Sequence, residues 1–155
     1  MNPYCDNYTA PTAFVDPSVT IGAGTKIWHH CVILSGVIIG ENVSIGSGTE
    51  VGKGTIIGSG TRIGHGVFLP AFSYVGRNVF IGPSVTFTDD KYPVANNPKY
   101  YPQPPVIEDN ASIGAACVIL PGVVIRKGAR IGAGSVVTKD VQKDSLVYGE
   151  SAKVK

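Results

Sequence analysis

The chain of 155 residues has little charge of either sign. Only 15% of its residues are Asp, Glu, Lys or Arg, and the formal net charge at pH 7 is +2. No cluster of Lys and Arg forms a basic face, so a nucleic-acid partner is not expected. Disorder is not expected either, because 43% of the residues are hydrophobic. We expect a single folded domain over residues 1–155.

Cysteine and long apolar runs are scarce as well. The three cysteines, Cys5, Cys31 and Cys117, are an odd number without metal-ligand spacing, which argues against a disulfide framework and a structural zinc site. Cys31 and Cys117 are better explained as buried, inert thiols. No stretch is apolar enough to span a membrane, and residues 1–20 do not have the pattern of a secretion signal. We therefore expect a cytoplasmic protein without a membrane partner.

The chain does contain a strict period of six residues. From Val15 to Phe87 every sixth residue is apolar, and the pattern resumes from Ile107 to Val137. Four residues after each of these positions lies a small or β-branched residue, for example Thr25, and only Lys91, after Phe87, is an exception. This period fits neither an amphipathic helix nor a hairpin meander, but it fits short parallel strands wound into a solenoid. The first residue of each hexad is predicted to point inward, and Thr or Ser four residues later to bond backbone groups.

The repeat resembles the left-handed parallel β-helix of hexapeptide acyltransferases, in which three hexads form one triangular coil. The resemblance covers residues 9–142. It implies an all-β, left-handed parallel β-helix of roughly six coils, over 9–87 and 107–142, with a C-terminal tail over 143–155. Residues 18 apart would then stack. Glycines follow the inward residue at positions such as Gly46 and Gly64, where a tight chain reversal is expected to tolerate no bulky side chain.

The repeat is interrupted by an ejected loop at 88–106, between Thr88 and Val106, which contains five prolines and three tyrosines. Long segments without regular structure in compact folds are usually functional or disordered, and the aromatic content favours an ordered loop that packs on something. In the resembled family, loops ejected here lie against a neighbouring subunit and help to enclose the active site. A plain surface excursion is the alternative.

Histidine is the first candidate for chemistry, since a neutral imidazole can act as a general base. His29 and His65 both fall third in their hexads and are 36 residues, or two coils, apart. They should stack on one edge roughly 9.5 Å apart, too far to share a metal ion within one chain. The γ-class carbonic anhydrases share the solenoid and bind zinc through three histidines, including a pair five residues apart. That pair is missing here, so we expect no metal, and a carbonic anhydrase-like zinc protein is the least favoured function.

A more specific resemblance lies in Ile27-Trp28-His29 and in residues 80–90, FIGPSVTFTDD. With the loop that follows, these segments resemble the N-acetyltransferases that modify 3-amino sugars on UDP or dTDP for bacterial surface polysaccharides such as lipopolysaccharide. The resemblance implies an amino-sugar acceptor whose contacts come from Trp28, His29, Pro83, Ser84 and Tyr92.

Asp89 stands where that family has an Asn beside the sugar amine. A carboxylate there can orient the amine or accept its proton, although it would also favour the unreactive ammonium form. A role as a turn or cap residue at the start of the loop is equally open. The family's second early His is missing as well, because His30 and Val32 occupy the last two named positions of its Trp-His-Phe-x-His motif.

The coils after the loop resemble the family's coenzyme A edge, at residues 113–122, IGAACVILPG, and 131–141, IGAGSVVTKDV. Pantetheine is a chain of amides, so exposed backbone groups flanked by small residues suit it. The predicted backbone contacts are Gly114, Ala115, Ala133 and Gly134. The cations available for the phosphates are Lys127, Arg130, Lys139 and Lys153, each of which is otherwise an ordinary surface charge.

Together the resemblances imply an acetyl-CoA-dependent N-acetyltransferase that acts on the amine of a UDP- or dTDP-linked amino sugar. The resemblance also implies a homotrimer with active sites between subunits. A backbone N–H near Gly82 or Ser84 is expected to stabilise the oxyanion, and Asp89 or His65 to handle the proton. An O-acetyltransferase of a small hydroxyl acceptor is the alternative. It would need His65 as a base beside the hydroxyl group.

Overall fold

The computed structural model describes residues 6–149 and 153–154, and all regular elements within them are short β-strands. The strands, in chain order, are β1 Tyr8–Thr9, β2 Phe14–Val15, β3 Thr20–Ile21, β4 Lys26–Ile27, β5 Val32–Ile33, β6 Ile38–Ile39, β7 Ser44–Ile45, β8 Glu50–Val51, β9 Ile56–Ile57, β10 Arg62–Ile63, β11 Phe68–Leu69, β12 Tyr74–Val75, β13 Phe80–Ile81, β14 Thr86–Phe87, β15 Val106–Ile107, β16 Ser112–Ile113, β17 Val118–Ile119, β18 Val124–Ile125, β19 Arg130–Ile131, β20 Val136–Val137, β21 Leu146–Tyr148 and β22 Lys153–Val154.

Three parallel sheets form the faces of the solenoid. Every third strand belongs to the same sheet. Sheet A takes these strands from β1 to β19, sheet B from β2 to β20 and sheet C from β3 to β18. Ile27 pairs with Ile45, and Ile45 with Ile63, so residues 18 apart stack as predicted. Six coils have a strand on all three faces, in keeping with the roughly six predicted. The predicted parallel β-helix is confirmed, and its left-handed winding stays a prediction.

The interior consists of two ladders of side chains. The inward residues of the strands from Ile27 to Val137 are each at most 4% exposed. The residues four positions later form the second ladder, in which Thr61 Oγ1 donates to the Gly76 carbonyl at 2.9 Å and accepts from the Val79 N–H at 3.1 Å. Both sequence predictions about the core are therefore confirmed.

Two classes of glycine shape the corners, and only one class makes the turn. Gly48, three residues after the inward Ile45, has φ +72 and open space around it. Gly46, directly after Ile45, has no positive φ, but an added Cβ would lie 2.6 Å from the carbonyl carbon of Gly64 in the next coil. The prediction that this second class tolerates no bulky side chain is confirmed, and the cause is contact with the next coil rather than a positive φ. These glycines let successive coils stack in contact.

The ejected loop leaves sheet B after β14 and returns to sheet C at β15. Tyr100 donates its hydroxyl hydrogen to Asp89 Oδ2 at 2.7 Å, and the Gln103 N–H donates to the Asp89 carbonyl at 2.8 Å. The Gln103 carbonyl in turn accepts from the N–H of Gly122 in the next coil at 2.8 Å. Asp89 thus links the two ends of the loop, which is the cap role considered for it.

The solenoid continues into the predicted C-terminal tail. β21 pairs in parallel with β19 in sheet A, and β22 pairs with β21 in the antiparallel direction. In the part of the chain that the structure describes, no helix has the length and apolar character needed to cross a membrane.

Candidate active site at the corner between sheets A and B

Most of the predicted site residues lie along one edge of the solenoid. We call this edge the A–B corner. It consists of the segments that link each strand of sheet A to the next strand of sheet B, at 10–13, 28–31, 46–49, 64–67, 82–85, 114–117 and 132–135. The predicted residues found there are Trp28, His29, His65, Pro83, Ser84, Gly114, Ala115, Ala133 and Gly134. Residues that are up to 106 positions apart in the sequence therefore share one edge.

A strip of bare backbone runs along this corner. The residue after each inward position is Gly in five consecutive coils: Gly46, Gly64, Gly82, Gly114 and Gly132. We call these residues the glycine strip. Four coil steps of ~4.8 Å make it about 19 Å long. Trp28 occupies the same position one coil before the strip, and the register of β19 with β21 puts Tyr148 one coil after it.

The free backbone groups at the corner differ from those predicted. The amides of Gly114 and Gly134 donate to the carbonyls of Ile131 and Ala115, both at 2.8 Å. The amides of Ala115 and Ala133, in contrast, have no hydrogen-bond partner within residues 6–149. Of the four predicted contacts, only the two alanines offer a free N–H to a bound molecule.

The expected oxyanion donors near Gly82 and Ser84 are already engaged. The Gly82 N–H donates to the backbone carbonyl of Ile113, and the Ser84 N–H donates to the backbone carbonyl of His65, each at 2.8 Å. In the corners of Gly64, Gly114 and Gly132, bonding between coils uses the first and third amides and leaves the second one, at His65, Ala115 and Ala133, free. The expectation for Gly82 and Ser84 was therefore wrong. The free amide of Ala115 follows Gly114 in the coil after Gly82.

His65 is held by the backbone of the preceding coil. The N–H of Ser47 donates to His65 Nδ1 at 3.1 Å. An amide N–H can only donate, so Nδ1 uses its lone pair, and the neutral ring carries its proton on Nε2. Nε2 can then donate a hydrogen bond but not accept one. This arrangement disfavours His65 as a base at Nε2.

His29 lies on the same edge two coils away, as predicted. Its Nδ1 is 2.9 Å from Thr12 Oγ1, which also accepts the N–H of His30 at 3.2 Å. His30 has a φ of 59, a left-handed conformation that is unusual for a bulky residue. Among the described residues, no three His, Cys, Asp or Glu side chains are grouped so as to hold a metal ion.

A pocket of about 370 Å³ opens beside His65. It is lined by Trp28, Ser44, Gly46, Ser47, Arg62, Ile63, Gly64, His65 and Phe80. Ser44, Arg62 and Phe80 were not predicted from the sequence. They are the outward residues of three successive strands of sheet A, and their spacing of 18 residues is the signal that could have found them.

The other predicted residues lie elsewhere on the chain. Asp89 and Tyr92 are in the ejected loop, at the corner between sheets B and C, and Lys139 lies at that same corner. Lys127 is at the corner between sheets C and A. Within one chain, Asp89 therefore lies at a different corner from His65.

Of the predicted phosphate-binding cations, Arg130 lies nearest to the glycine strip. It is the exposed outward residue of β19, two residues before Gly132. Lys153 falls in β22, and its side chain is outside the described part of the structure. Among the side chains that the structure describes, Lys127, Arg130 and Lys139 lie at different places and form no single cluster.

The two described cysteines are structural. Cys31 Sγ donates to the Gly46 carbonyl at 3.2 Å, and Cys117 Sγ to the Gly132 carbonyl at 3.1 Å. Burial raises the pKa of both thiols, which disfavours the nucleophilic thiolate. Their predicted role as buried, inert thiols is supported. Cys5 lies outside the described residues.

Comparison with known proteins agrees with this architecture. Residues 18–53, 54–89 and 104–139 match the family described as bacterial transferase hexapeptide (six repeats). A curated relative, the galactoside O-acetyltransferase of Lactococcus lactis, is 38% identical over 86 residues, which are 53% of this chain and 42% of that enzyme. The first curated relatives are thus matched over less than half of their own length, 40–42%.

Solved structures share the fold. A hexapeptide-repeat acetyltransferase of Vibrio cholerae, solved with acetyl coenzyme A, is 34% identical with a TM-score of 0.58 and covers 64% of this chain and 58% of that chain. PerB of Caulobacter crescentus, solved with CoA and GDP-perosamine, is 24% identical with a TM-score of 0.50. That comparison covers 98% of this chain and 58% of PerB, and at this identity it supports the fold alone.

Proposed function

Because this chain belongs to the bacterial hexapeptide transferase family, we propose that it transfers an acetyl group from coenzyme A to the amine of a nucleotide-linked amino sugar. The observation that carries the proposal is the A–B corner. There the glycine strip, the free amides of Ala115 and Ala133, and the pocket beside His65 form one continuous surface. The proposed enzyme is cytoplasmic and serves the synthesis of bacterial surface polysaccharide.

The part of the glycine strip from Gly82 to Gly132 is the proposed seat of the pantetheine arm. An extended chain of amides needs close approach and exposed donors, and the strip provides bare backbone with the N–H groups of Ala115 and Ala133 one coil apart. Arg130, on the adjoining face, supplies positive charge for the phosphates. The likeness to the Vibrio cholerae acetyltransferase, at 34% identity, supports coenzyme A as the donor.

The proposed reaction is direct attack of the amine nitrogen on the thioester carbonyl carbon. The carbon–sulfur bond breaks, coenzyme A leaves as a thiolate, and the proton lost by the amine nitrogen returns to that sulfur, directly or through water. His65 donates Nε2–H to the carbonyl oxygen as negative charge develops there, in place of the base role first considered. Holding the two substrates in line supplies much of the remaining rate.

The state of His65 favours an amine over a hydroxyl acceptor. A hydroxyl group needs a base beside it to attack a thioester, whereas an unprotonated amine attacks with its own lone pair. Since Nδ1 of His65 already accepts from Ser47, the ring has no second lone pair to offer. Resemblance at residues 27–29 and 80–90 to amino-sugar N-acetyltransferases points the same way.

A homotrimer with sites between subunits completes the proposal. Asp89 and His65 lie at different corners of one chain, so a carboxylate at the acceptor amine would have to come from another subunit's loop. The outer face of sheet C also presents Ile38, Ile56 and Tyr74, which are 49%, 42% and 43% exposed. Such an apolar column favours burial against another subunit. Sedimentation as a monomer would contradict this part of the proposal.

The test is an assay with acetyl-CoA and a panel of acceptors. The panel pairs UDP-, dTDP- and GDP-linked amino sugars with the same nucleotide sugars bearing a hydroxyl in place of the amine, and it includes a simple galactoside. Mass spectrometry should find the mass of one acetyl group added to an amino sugar and not to its hydroxyl counterpart. Acetylation of only the galactoside or the hydroxyl sugars would reject the proposal.

A further inference from the structure

The pocket beside His65 is built from two columns of residues. One column is the outer face of sheet A, where Ser44, Arg62 and Phe80 stack in successive coils. The other is the A–B corner, where Trp28 lies before Gly46 and Gly64. The lining combines two glycines and two serines with the larger side chains of Trp28, Arg62, His65 and Phe80. This shape suits a flat or extended ligand lying along the axis of the solenoid.

The aromatic walls are far enough apart to admit more than one ring. Trp28 and Phe80 belong to coils three steps apart, about 14 Å along the axis at ~4.8 Å per coil. Trp28 is 39% exposed and Phe80 is 46% exposed. Trp28 is held in place, since its Nε1 donates to Ser44 Oγ at 3.4 Å and its ring packs on Tyr8 with centroids 5.5 Å apart.

Arg62 places an uncompensated positive charge between these walls. The ion pairs of the described residues involve Arg126 and Lys143, and none involves Arg62. The outward column of sheet A carries no carboxylate along its length, from Tyr8 to Leu146. A guanidinium in this setting is a ready partner for an anion, and its planar fork matches the oxygens of a phosphate.

We propose that this pocket binds the nucleoside diphosphate part of the acceptor, with the base against Trp28 and the diphosphate on Arg62. The assignment rests on the proposed function and fixes the direction of the substrate. Phe80 lies one coil from Ser112, toward the proposed donor edge, so the sugar must extend toward Phe80 and His65. The nucleotide base then lies at the opposite end of the pocket, against the ring of Trp28, which Ser44 and Tyr8 hold in place.

Binding of nucleotides to the pocket can be measured directly by tryptophan fluorescence. Trp28 is the only tryptophan, so its fluorescence reports on the pocket without a label. UDP, dTDP, GDP and the matching nucleosides are titrated in the absence of coenzyme A. At least one nucleoside diphosphate should change the emission in a saturable way.

Variants of Arg62 separate the phosphate contact from the base contact. Arg62→Ala should lower the affinity for the nucleoside diphosphate by roughly 10- to 100-fold, the effect of losing a charge-assisted hydrogen bond. The affinity for the nucleoside should change by less than about twofold. Arg62→Lys should recover part of the loss, because it restores the charge without the fork. Arg77→Ala removes an exposed arginine at the corner between sheets C and A, and it should bind as the parent does.

Three outcomes would overturn the assignment: no fluorescence response to any diphosphate, equal binding by the parent and Arg62→Ala, or displacement of the diphosphate by coenzyme A. The last result would make this the donor's own pocket. The acceptor assay keeps this failure apart from failure of the proposed function. Acetyl transfer without binding here rejects the subsite alone, whereas binding here without transfer to any panel member rejects the function alone.

Discussion

The backbone amide of Ser47 donates a hydrogen bond to Nδ1 of His65 across 3.1 Å, from one coil of the solenoid to the next. This single contact selects the tautomer of the ring, because an amide hydrogen needs an acceptor. It turns His65 from a candidate base into a hydrogen-bond donor facing the pocket. It also arises from stacking alone, since residues 47 and 65 are one coil apart.

Replacing His65 tests this role through the choice of substitute. His65→Ala should lower kcat by roughly 100-fold, the usual cost of losing one oxyanion donor. His65→Gln, whose side-chain amide can donate but cannot act as a base, should retain most of the activity. The measurement is steady-state kinetics with acetyl-CoA and the acceptor that the panel assay identifies as the substrate. Equal loss in the Ala and Gln variants would show that His65 works as a base after all.

The free amide of Ala115 can be removed by substitution with proline, which has no backbone N–H. Ala115→Pro recreates the Gly82-Pro83 dipeptide already present in the preceding coil, so the fold should lose less than about 1 kcal/mol. Affinity for coenzyme A should fall about tenfold, because one hydrogen bond is lost. Isothermal titration calorimetry gives the affinity and thermal unfolding gives the stability.

Ala23→Pro is the matched control for that experiment. Ala23 also follows a glycine in a corner, and its amide has no hydrogen-bond partner among the described residues, but it lies between sheets C and A. It should leave coenzyme A binding unchanged. If both proline variants weaken binding alike, the loss comes from the coil geometry rather than from the proposed donor edge.

The contact between Tyr100 and Asp89 should persist to high pH. The hydrogen bond to Asp89 raises the pKa of Tyr100 to about 12. A raised pKa in the folded state means that the stabilisation is complete below the unfolded value, near 10, and is lost as the pH rises from there toward 12. A spectrophotometric titration should find one late-ionising tyrosine, and Tyr100→Phe should remove it.

The same variant tests whether this contact orders the ejected loop. Tyr100→Phe should speed tryptic cleavage after Lys91, which is exposed within the loop, at neutral pH. Tyr101→Phe is the control, because Tyr101 is 80% exposed and has no contact of this kind. Equal cleavage rates in all three proteins would show that the hydrogen bond does not hold the loop.

The two classes of glycine should respond differently to substitution. An added Cβ at Gly58 would lie 2.7 Å from the backbone nitrogen of Arg77, so Gly58→Ala should destabilise the protein by about 1–3 kcal/mol. Gly36 has φ +69 and nothing closer than 3.9 Å, and asparagine takes the same turn position at Asn42 and Asn78. Gly36→Asn should therefore lower the free energy of unfolding by less than Gly58→Ala does, although asparagine adds the larger side chain. Chemical denaturation measures both, and the reverse order would contradict the stacking role.

Much of the site could be located from the sequence, because the solenoid converts sequence spacing into position. A coil of 18 residues puts His29 and His65, two coils apart, on one edge. The loop insertion shifts the register without breaking it, so Ile81 pairs with Ile113. The residues that were missed, Ser44, Arg62 and Phe80, point outward. Their spacing of 18 residues was the available signal, but the hexad leaves the outward position free to vary, so residue type alone does not mark it.

The sequence by itself determined the parallel β-helix, its inward ladders, the place of the loop and the edge that carries most of the candidate residues. These follow from a repeat in which every strand buries the same side of the chain. Only the tertiary structure decided which groups remain available along that edge. Hydrogen bonds between coils use the amides of Gly82 and Ser84, leave that of Ala115 free and fix the tautomer of His65. Such bonds depend on which atoms face each other across two coils, and a one-dimensional repeat does not specify that.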